Sequence, residues 1–309
     1  MIKVIRYNKK YKKSWDALVK DSKNGTFLFF RDYMEYHADR FDDYSLMIFS
    51  GDDLLAIFPA SVSNSFVTSH GGLTYGGMLY KSNMTAQKAI DSFEATLDYL
   101  RKDNVSKVLY KAIPHIYHKQ PAEEDLYCLF LNDFRLIKRE ISSSFLINEM
   151  AIKGKKLNGH KKALRAGFEL VPTDCSKEIL KIVNENLLDR YDTQAVHSFA
   201  EMNYLRNKFK KNIQMFNLML EGKYCGGAIL YVDNQCVHAQ YIATTMEAKS
   251  ARGLDFIVIE CLGIFSDMKW FDFGISTEEG GRNLNVSLIK AKEEFNMSGI
   301  CYDTYEISL

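Results

Sequence analysis

Asp272 is a carboxylate set between Phe271 and Phe273 in an apolar run. An unpaired charge is costly to bury, so such a carboxylate is either paired for structure or poised as a base. His238 lies in a second apolar run, followed by Ala239, Gln240 and Tyr241. Read as a strand, the run puts His238 and Gln240 on one face and Tyr241 on the other. A histidine there can shuttle a proton near neutral pH or serve as a hydrogen-bonded core residue. Glu278 and Glu279 share a loop with Gly280 and Gly281, a setting that suits function and plain solvation alike. Asn283 and Asn285 flank Leu284 where a helical pattern begins, and Asn283 reads as its cap or as a substrate contact. Lys292 falls beside that helix's apolar stripe of Leu284, Leu288, Ala291 and Phe295. In the first half, His70 precedes Gly71 and Gly72, and Tyr75 precedes Gly76 and Gly77. Glycines so placed serve a tight turn or let backbone approach a ligand closely.

The elements that must position these residues follow the same order twice. Residues 2–7 read as a strand, and helical patterns cover the stretch around Trp15, Leu18 and Val19 and then 26–41. Strands at 44–50, 54–63 and 65–70 form a hairpin meander. Thr85 caps a helix to 101. A strand at 105–112, a helix at 122–132 and a strand at 137–147 complete the half. The second half repeats this with a strand at 168–172 and helices at 178–190 and 199–211. Strands at 214–221, 226–232 and 235–244 follow. A helix at 254–267, a strand at 270–275, a helix at 283–295 and a strand at 300–307 finish it. A period of about 150 residues is a duplicated domain, not a solenoid. We expect an α/β mixed-sheet protein of two tandem domains, 1–150 and 151–309.

Composition narrows the classes. The chain has 309 residues, 47% hydrophobic and 13% aromatic, which is that of a folded protein with a sizeable core. A formal charge of +1 demands neither nucleic acid nor a membrane surface. The six cysteines are scattered without a C-x-x-C pair, which argues against structural zinc, and no metal is expected. No signal-peptide pattern and no apolar run of spanning length occur, so the expectation is a cytoplasmic protein without a membrane span. The segment 153–165 is rich in Lys, Arg and His. It reads as a solvated helix face before Gly167 or as a positive rim for a phosphate-bearing substrate. Asp272, Phe273 and Gly274 spell a kinase tripeptide by chance, since none of its companion motifs is present.

The element order is that of the GNAT superfamily, and the strings FDFGISTE (271–278), GRNLN (281–285) and KAKEEF (290–295) resemble FemAB-like members of it. HAQYIA (238–243), ARGLD (251–255) and SHGGLTYGG (69–77) fit the same family along most of the chain. The resemblance implies transfer of an acyl or aminoacyl group to an amine in bacterial envelope-glycan synthesis. That reaction needs a base for the amine proton, donors for the oxyanion and alignment of two substrates. Asp272, His238 and Glu278 are the catalytic candidates. The resemblance places acyl-CoA, with acetyl-CoA foremost, at the start of the helix after the third meander strand. Helix tips favour phosphates through their unpaired N–H groups and dipole. Lys249, Ser250, Arg252 and Gly253 stand there, although MEAKSARG (246–253) has one glycine where the usual loop has more. His37, His70, Tyr75, Tyr241, Asn283, Asn285 and Lys292 are substrate-binding candidates. A Fem-type lysine contacting acceptor phosphates matches Lys292, and a second such lysine is replaced by His37. The leading expectation is an acyltransferase acting on an amino sugar or nucleotide-linked amino sugar. The alternatives are a Fem-type enzyme using aminoacyl-tRNA on a peptidoglycan-type precursor, and a silent binding protein of the same fold.

Overall fold

The computed structural model describes residues 2–147 and 152–309. Two compact units emerge. Unit 1 comprises Met1–Ile141, Thr277–Asn283 and Cys301–Leu309, and unit 2 comprises Ser142–Ser276 and Leu284–Ile300. The expected boundary between 150 and 151 lies outside the described residues. The units themselves are discontinuous in sequence, for a reason visible in the strand pairing below.

Unit 1 runs β1 (Ile2–Arg6), α1 (Lys12–Asp21), α2 (Arg31–Met34), β2 (Asp42–Asp43), β3 (Leu46–Ser50), β4 (Asp53–Phe58), β5 (Ser61–Ser63), β6 (Phe66–Thr68), β7 (Leu79–Tyr80), α3 (Ala86–Lys102), β8 (Lys107–Lys111), α4 (Glu124–Leu131) and the start of β9 (Arg135–Leu146). β1, β3, β4 and β7 form one antiparallel sheet. β2, β5 and β6 are antiparallel neighbours, and β6 runs parallel to β8. The strand expected over 54–63 is therefore two strands in two sheets. Pro59 sits at the break, where it has no N–H to give a ladder. The expected helix over 26–41 is three short helical turns, of which only α2 is α-helical. Thr85 caps α3 as expected, accepting from Lys88 N at 3.4 Å. α3 buries Phe93, Leu97 and Leu100 against Leu46, Ile48 and Tyr110, each worth roughly 1.5–3 kcal/mol of transfer free energy.

Unit 2 takes the end of β9, then α5 (Gly154–Arg165), β10 (Phe168–Pro172), α6 (Lys177–Tyr191), α7 (Phe199–Lys208), β11 (Ile213–Leu220), β12 (Lys223–Asp233), β13 (Cys236–Thr244), α8 (Met246–Ser250), α9 (Gly253–Ile264) and β14 (Trp270–Ile275). Two short strands follow, β15 (Thr277–Glu278) and β16 (Asn283–Leu284), then α10 (Val286–Glu293) and β17 (Ser298–Ser308). Its strand order is β10, β11, β12, β13, β14, β9. β10 pairs antiparallel with β11 across the intervening α6 and α7, and hairpins join β11 to β12 and β12 to β13. Glu221 and Gly222 turn β11 into β12 with φ of +50° and +72°, the left-handed pair of a tight hairpin. β14 pairs antiparallel with residues 142–146 of β9, while β8 of unit 1 pairs antiparallel with residues 304–308 of β17. Each unit is thus closed by a strand that the repeat order assigns to the other half, which is why no single cut in the sequence separates them. Among the described residues no helix is long and apolar enough to cross a membrane.

Candidate active site

β13 and β14 run parallel, and they pair over three rungs only: Cys236 with Trp270, Val237 with Phe271, and His238 with Asp272. β13 continues to Thr244 and β14 to Ile275 without further pairing. The two strands therefore part immediately after His238 and Asp272. Alternation sends Val237 and Phe271 into the core with Leu230 and Phe256 of α9. His238 and Asp272 take the opposite face, the one that α6 covers on β12 and β13.

The two side chains meet there. His238 Nδ1 lies 2.7 Å from Asp272 Oδ2. The other carboxylate oxygen, Oδ1, accepts hydrogen bonds from Ser142 Oγ, at 2.5 Å, and from Ser144 Oγ. Asp272 is fully buried. Burial by itself would raise its carboxyl, but the His238 hydrogen bond and charge, with the two serine hydroxyls, pull it well below the ordinary carboxylate range. It is an anion, and both of its oxygens are committed. An anion on Nδ1 fixes the imidazole with Nδ1 protonated and Nε2 as its basic nitrogen. The His238 side chain keeps 16% exposure, so the ring is held by its buried edge.

Gly274 and Lys292 shape the strand just beyond. The β14–β9 register breaks between Asp272 and Ile275, and Gly274 sits in the break with φ +77°. A Cβ there would lie 3.7 Å from His238 Cε1, so the kink passes directly beside the imidazole. Lys292 is buried, not solvated beside its helix's stripe, and donates from Nζ to Gly274 O at 2.6 Å and Ile275 O at 3.0 Å. Burial pushes its ammonium down to about 8 against the opposing pull of Asp272.

A bulge corrects the strand alternation. On β13, Tyr241 pairs with Ile229 and Ala239 pairs with Leu230, so Gln240 is the extra residue. His238 pairs with Tyr231, which lies on the same face as Ile229. Tyr241 consequently shares the face of His238, contrary to simple period two. Its hydroxyl meets His197 Nδ1 at 2.9 Å, and burial raises its pKa.

The remaining candidates lie elsewhere. Glu278 and Asn283 are exposed and belong to unit 1. The cap of α10 is Asn285, which accepts from Leu288 N at 3.0 Å, and Asn283 stands in β16 ahead of it. Lys249 and Ser250 are exposed on the five-residue α8, where Ser250 Oγ bonds Met246 O at 3.0 Å. Gly253 is buried at the start of α9, where a Cβ would lie 2.9 Å from Leu218 Cδ2 and 3.0 Å from Ala248 O. Arg252 pairs with Asp255 in the first turn of α9, and the buried Lys156 of α5 reaches the same carboxylate at 3.2 Å and Glu294 at 3.1 Å. The helix tip expected to receive phosphates already faces this anion. α5 lies directly over it: a Cβ on Gly159 would run into Asp255 and Arg252. The basic segment is α5, with Lys156 turned inward and Lys153, Lys155, Lys161, Lys162 and Arg165 exposed. In unit 1, His37 and His70 are buried with ring centroids 5.3 Å apart, and Tyr75 is buried with its hydroxyl donating to Thr26 Oγ1 at 3.3 Å.

The structure thus joins Asp272, His238 and Lys292 around one junction and adds Ser142, Ser144 and His197, which sequence reasoning missed. The run of three serines at 142–144 inside an apolar strand was a usable signal for the first two. His197 carried none, because its partner is reached only through the bulge.

No protein-family model matches the chain, and no curated protein matches it. Solved structures do. FemX superposes with a TM-score of 0.68 at 10% identity, over 99% of this chain and 97% of that one. The C-terminal domain of a putative lysylphosphatidylglycerol synthetase from Agrobacterium fabrum gives 0.63 at 14% identity, over 97% and 92%. L-PGS from Bacillus licheniformis gives 0.61 at 14%, over 95% and 90%. The chain shares the fold of FemX over nearly its whole length.

Proposed function

We propose that this chain transfers an acyl group to an amine, with His238 as the base and Asp272 as the residue that orients it. The observation that carries this reading is the His238–Asp272 pair at the rung where β13 and β14 part. A cleft between parting strands admits an extended substrate, and the imidazole is the titratable group at its apex. In the reaction the amine nitrogen attacks the acyl carbon. A C–N bond forms, the amine proton passes to His238 Nε2, and the C–O or C–S bond to the leaving group breaks. The leaving oxygen or sulfur then takes the proton back. The Asp272 anion stabilises the imidazolium between those two transfers.

Two donors are compatible with this chemistry. One reading has acyl-CoA acylating an amino sugar or nucleotide-linked amino sugar. The other has an aminoacyl ester of tRNA, as the Fem-type resemblance implies, with a peptidoglycan-type precursor as acceptor. The Asp255 network favours the second. Arg252 and Lys156 are committed to a carboxylate at the α9 tip, and a pyrophosphate placed there would meet that anion. The test is to offer purified protein, in parallel, a panel of acyl-CoAs and a pool of radiolabelled aminoacyl-tRNAs, with amino-sugar and peptidoglycan-type acceptors. Label transfer from tRNA that disappears in His238→Ala supports the favoured reading. CoA release that disappears in the same variant supports the first. Transfer unaffected by the variant would move the chemistry elsewhere, and no transfer with any donor would favour a binding protein.

A further inference from the structure

Unit 1 contains a cavity of about 430 Å³, within the range of small-molecule sites. It is walled by Tyr7, Arg31, Glu35, Phe41, Ser61 and His70, all from the first seventy residues. His70 is 4% exposed, and its Nδ1 has no hydrogen-bond partner among the described residues. Burial, with the nearby His37, Lys111 and Arg31, pushes its imidazole down to about 3, so the ring is neutral. A buried polar atom without a partner is costly, and one that lines a cavity marks where a ligand's hydroxyl can supply the missing bond.

The charges around the cavity say which ligand. Arg31 donates to Glu35 Oε1 at 3.0 Å, pairs with Asp43, and stacks its guanidinium 3.8 Å over the Tyr7 ring. Arg31 is thus held by Glu35 and Asp43, while Lys9 stands exposed at the cavity wall. A phosphate or carboxylate entering here would face two carboxylates, with the Arg31 guanidinium already engaged by them. A neutral polyhydroxyl ligand faces the opposite situation. The carboxylates accept from its hydroxyls in charge-assisted bonds and the neutral imidazole accepts one more, while the apolar side chains of Phe41 and Met34 cover its C–H face. We propose that this cavity is a subsite for a neutral sugar ring of pyranose size. The inference extends the acceptor side of the proposed function, and rests on that reading only in taking the sugar to be part of the acceptor.

Binding alone tests it. The full chain is titrated with methyl N-acetyl-β-glucosaminide and methyl β-glucoside, followed by saturation-transfer NMR and calorimetry. Ala38→Trp, at an exposed position on the cavity wall, plugs the cavity without touching the core. It should abolish binding, and Glu35→Gln should weaken it about tenfold. His238→Ala should bind sugar as the native chain does while losing transfer, which separates failure of this inference from failure of the catalytic reading. No binding of either glycoside, or binding that survives Ala38→Trp in a protein with native circular dichroism, would overturn the proposal.

Discussion

Among the described residues each unit has a parallel strand pair, and the two pairs have the same length. In unit 1, β6 and β8 join over Phe66–Lys107, Val67–Val108 and Thr68–Leu109. In unit 2, β13 and β14 join over Cys236–Trp270, Val237–Phe271 and His238–Asp272. The second rung is an apolar core rung in both. The third rung carries a threonine and a leucine in one copy and a histidine and an ionised aspartate in the other. The strand frame occurs twice and the histidine–carboxylate pair once. Both copies also use a desolvated lysine to hold backbone carbonyls near the junction. Lys111 bonds Leu73 O in the glycine-rich segment, and Lys292 bonds Gly274 and Ile275; burial pushes each ammonium down to about 8. The clamp is therefore part of the frame, and Lys292 need not touch substrate to matter.

This contrast can be broken most sharply at the third rungs. Asp272→Asn should lower acyl transfer by about 10²–10⁴-fold, while Thr68→Ala at the matching rung should leave the rate within twofold of native. Equal losses from both would mean that the frame, not the pair, is what activity senses. A smaller effect is expected from the serines. Removing Ser142 and Ser144 hydroxyls together leaves a buried carboxylate oxygen unsatisfied, at about 1.5–3 kcal/mol of stability by urea unfolding, and transfer should fall with it. Gly274→Ala forces a side chain into the left-handed region, costing about 1–2 kcal/mol.

Acid should separate the units by the pH at which each weakens. His70 and His118 are held by burial at about 3 and 4, below the ordinary imidazole value of 6.5. The unfolded chain binds those protons first, so each histidine costs about 1 kcal/mol per pH unit as pH falls below about 6.5, partly offset by Asp125, whose carboxyl burial raises to about 7. Asp272 is depressed instead. Its contribution is complete above the unfolded carboxyl value near 4 and is lost only as pH falls below it. His70→Asn, which tolerates the positive φ at this position, should reduce the loss between pH 6.5 and 4. Asp272→Asn should flatten only the region below 4. Melting curves across this range check both.

The sequence made the repeat, most element spans and the prominence of Asp272 and His238 legible, because apolar periodicity and a charge between phenylalanines are local signals. It did not reveal that β9 and β17 close the opposite units, since strand partnership depends on distant chain segments. The Tyr241 face was misread because one inserted residue, Gln240, inverts alternation and leaves no compositional trace. Arg252 looked free for phosphate because its partner Asp255 is a first-turn neighbour only once the helix forms, and Lys156 arrives from a separate helix.

The central claim is that the His238 imidazole carries the amine's proton, and its most direct measurement is chemical rescue. With whichever donor proves active, His238→Ala should transfer at least a hundredfold more slowly than native, and added imidazole should restore part of the rate in a saturable way, entering the partly exposed space the ring leaves. Native-rate transfer by His238→Ala without imidazole would contradict the account.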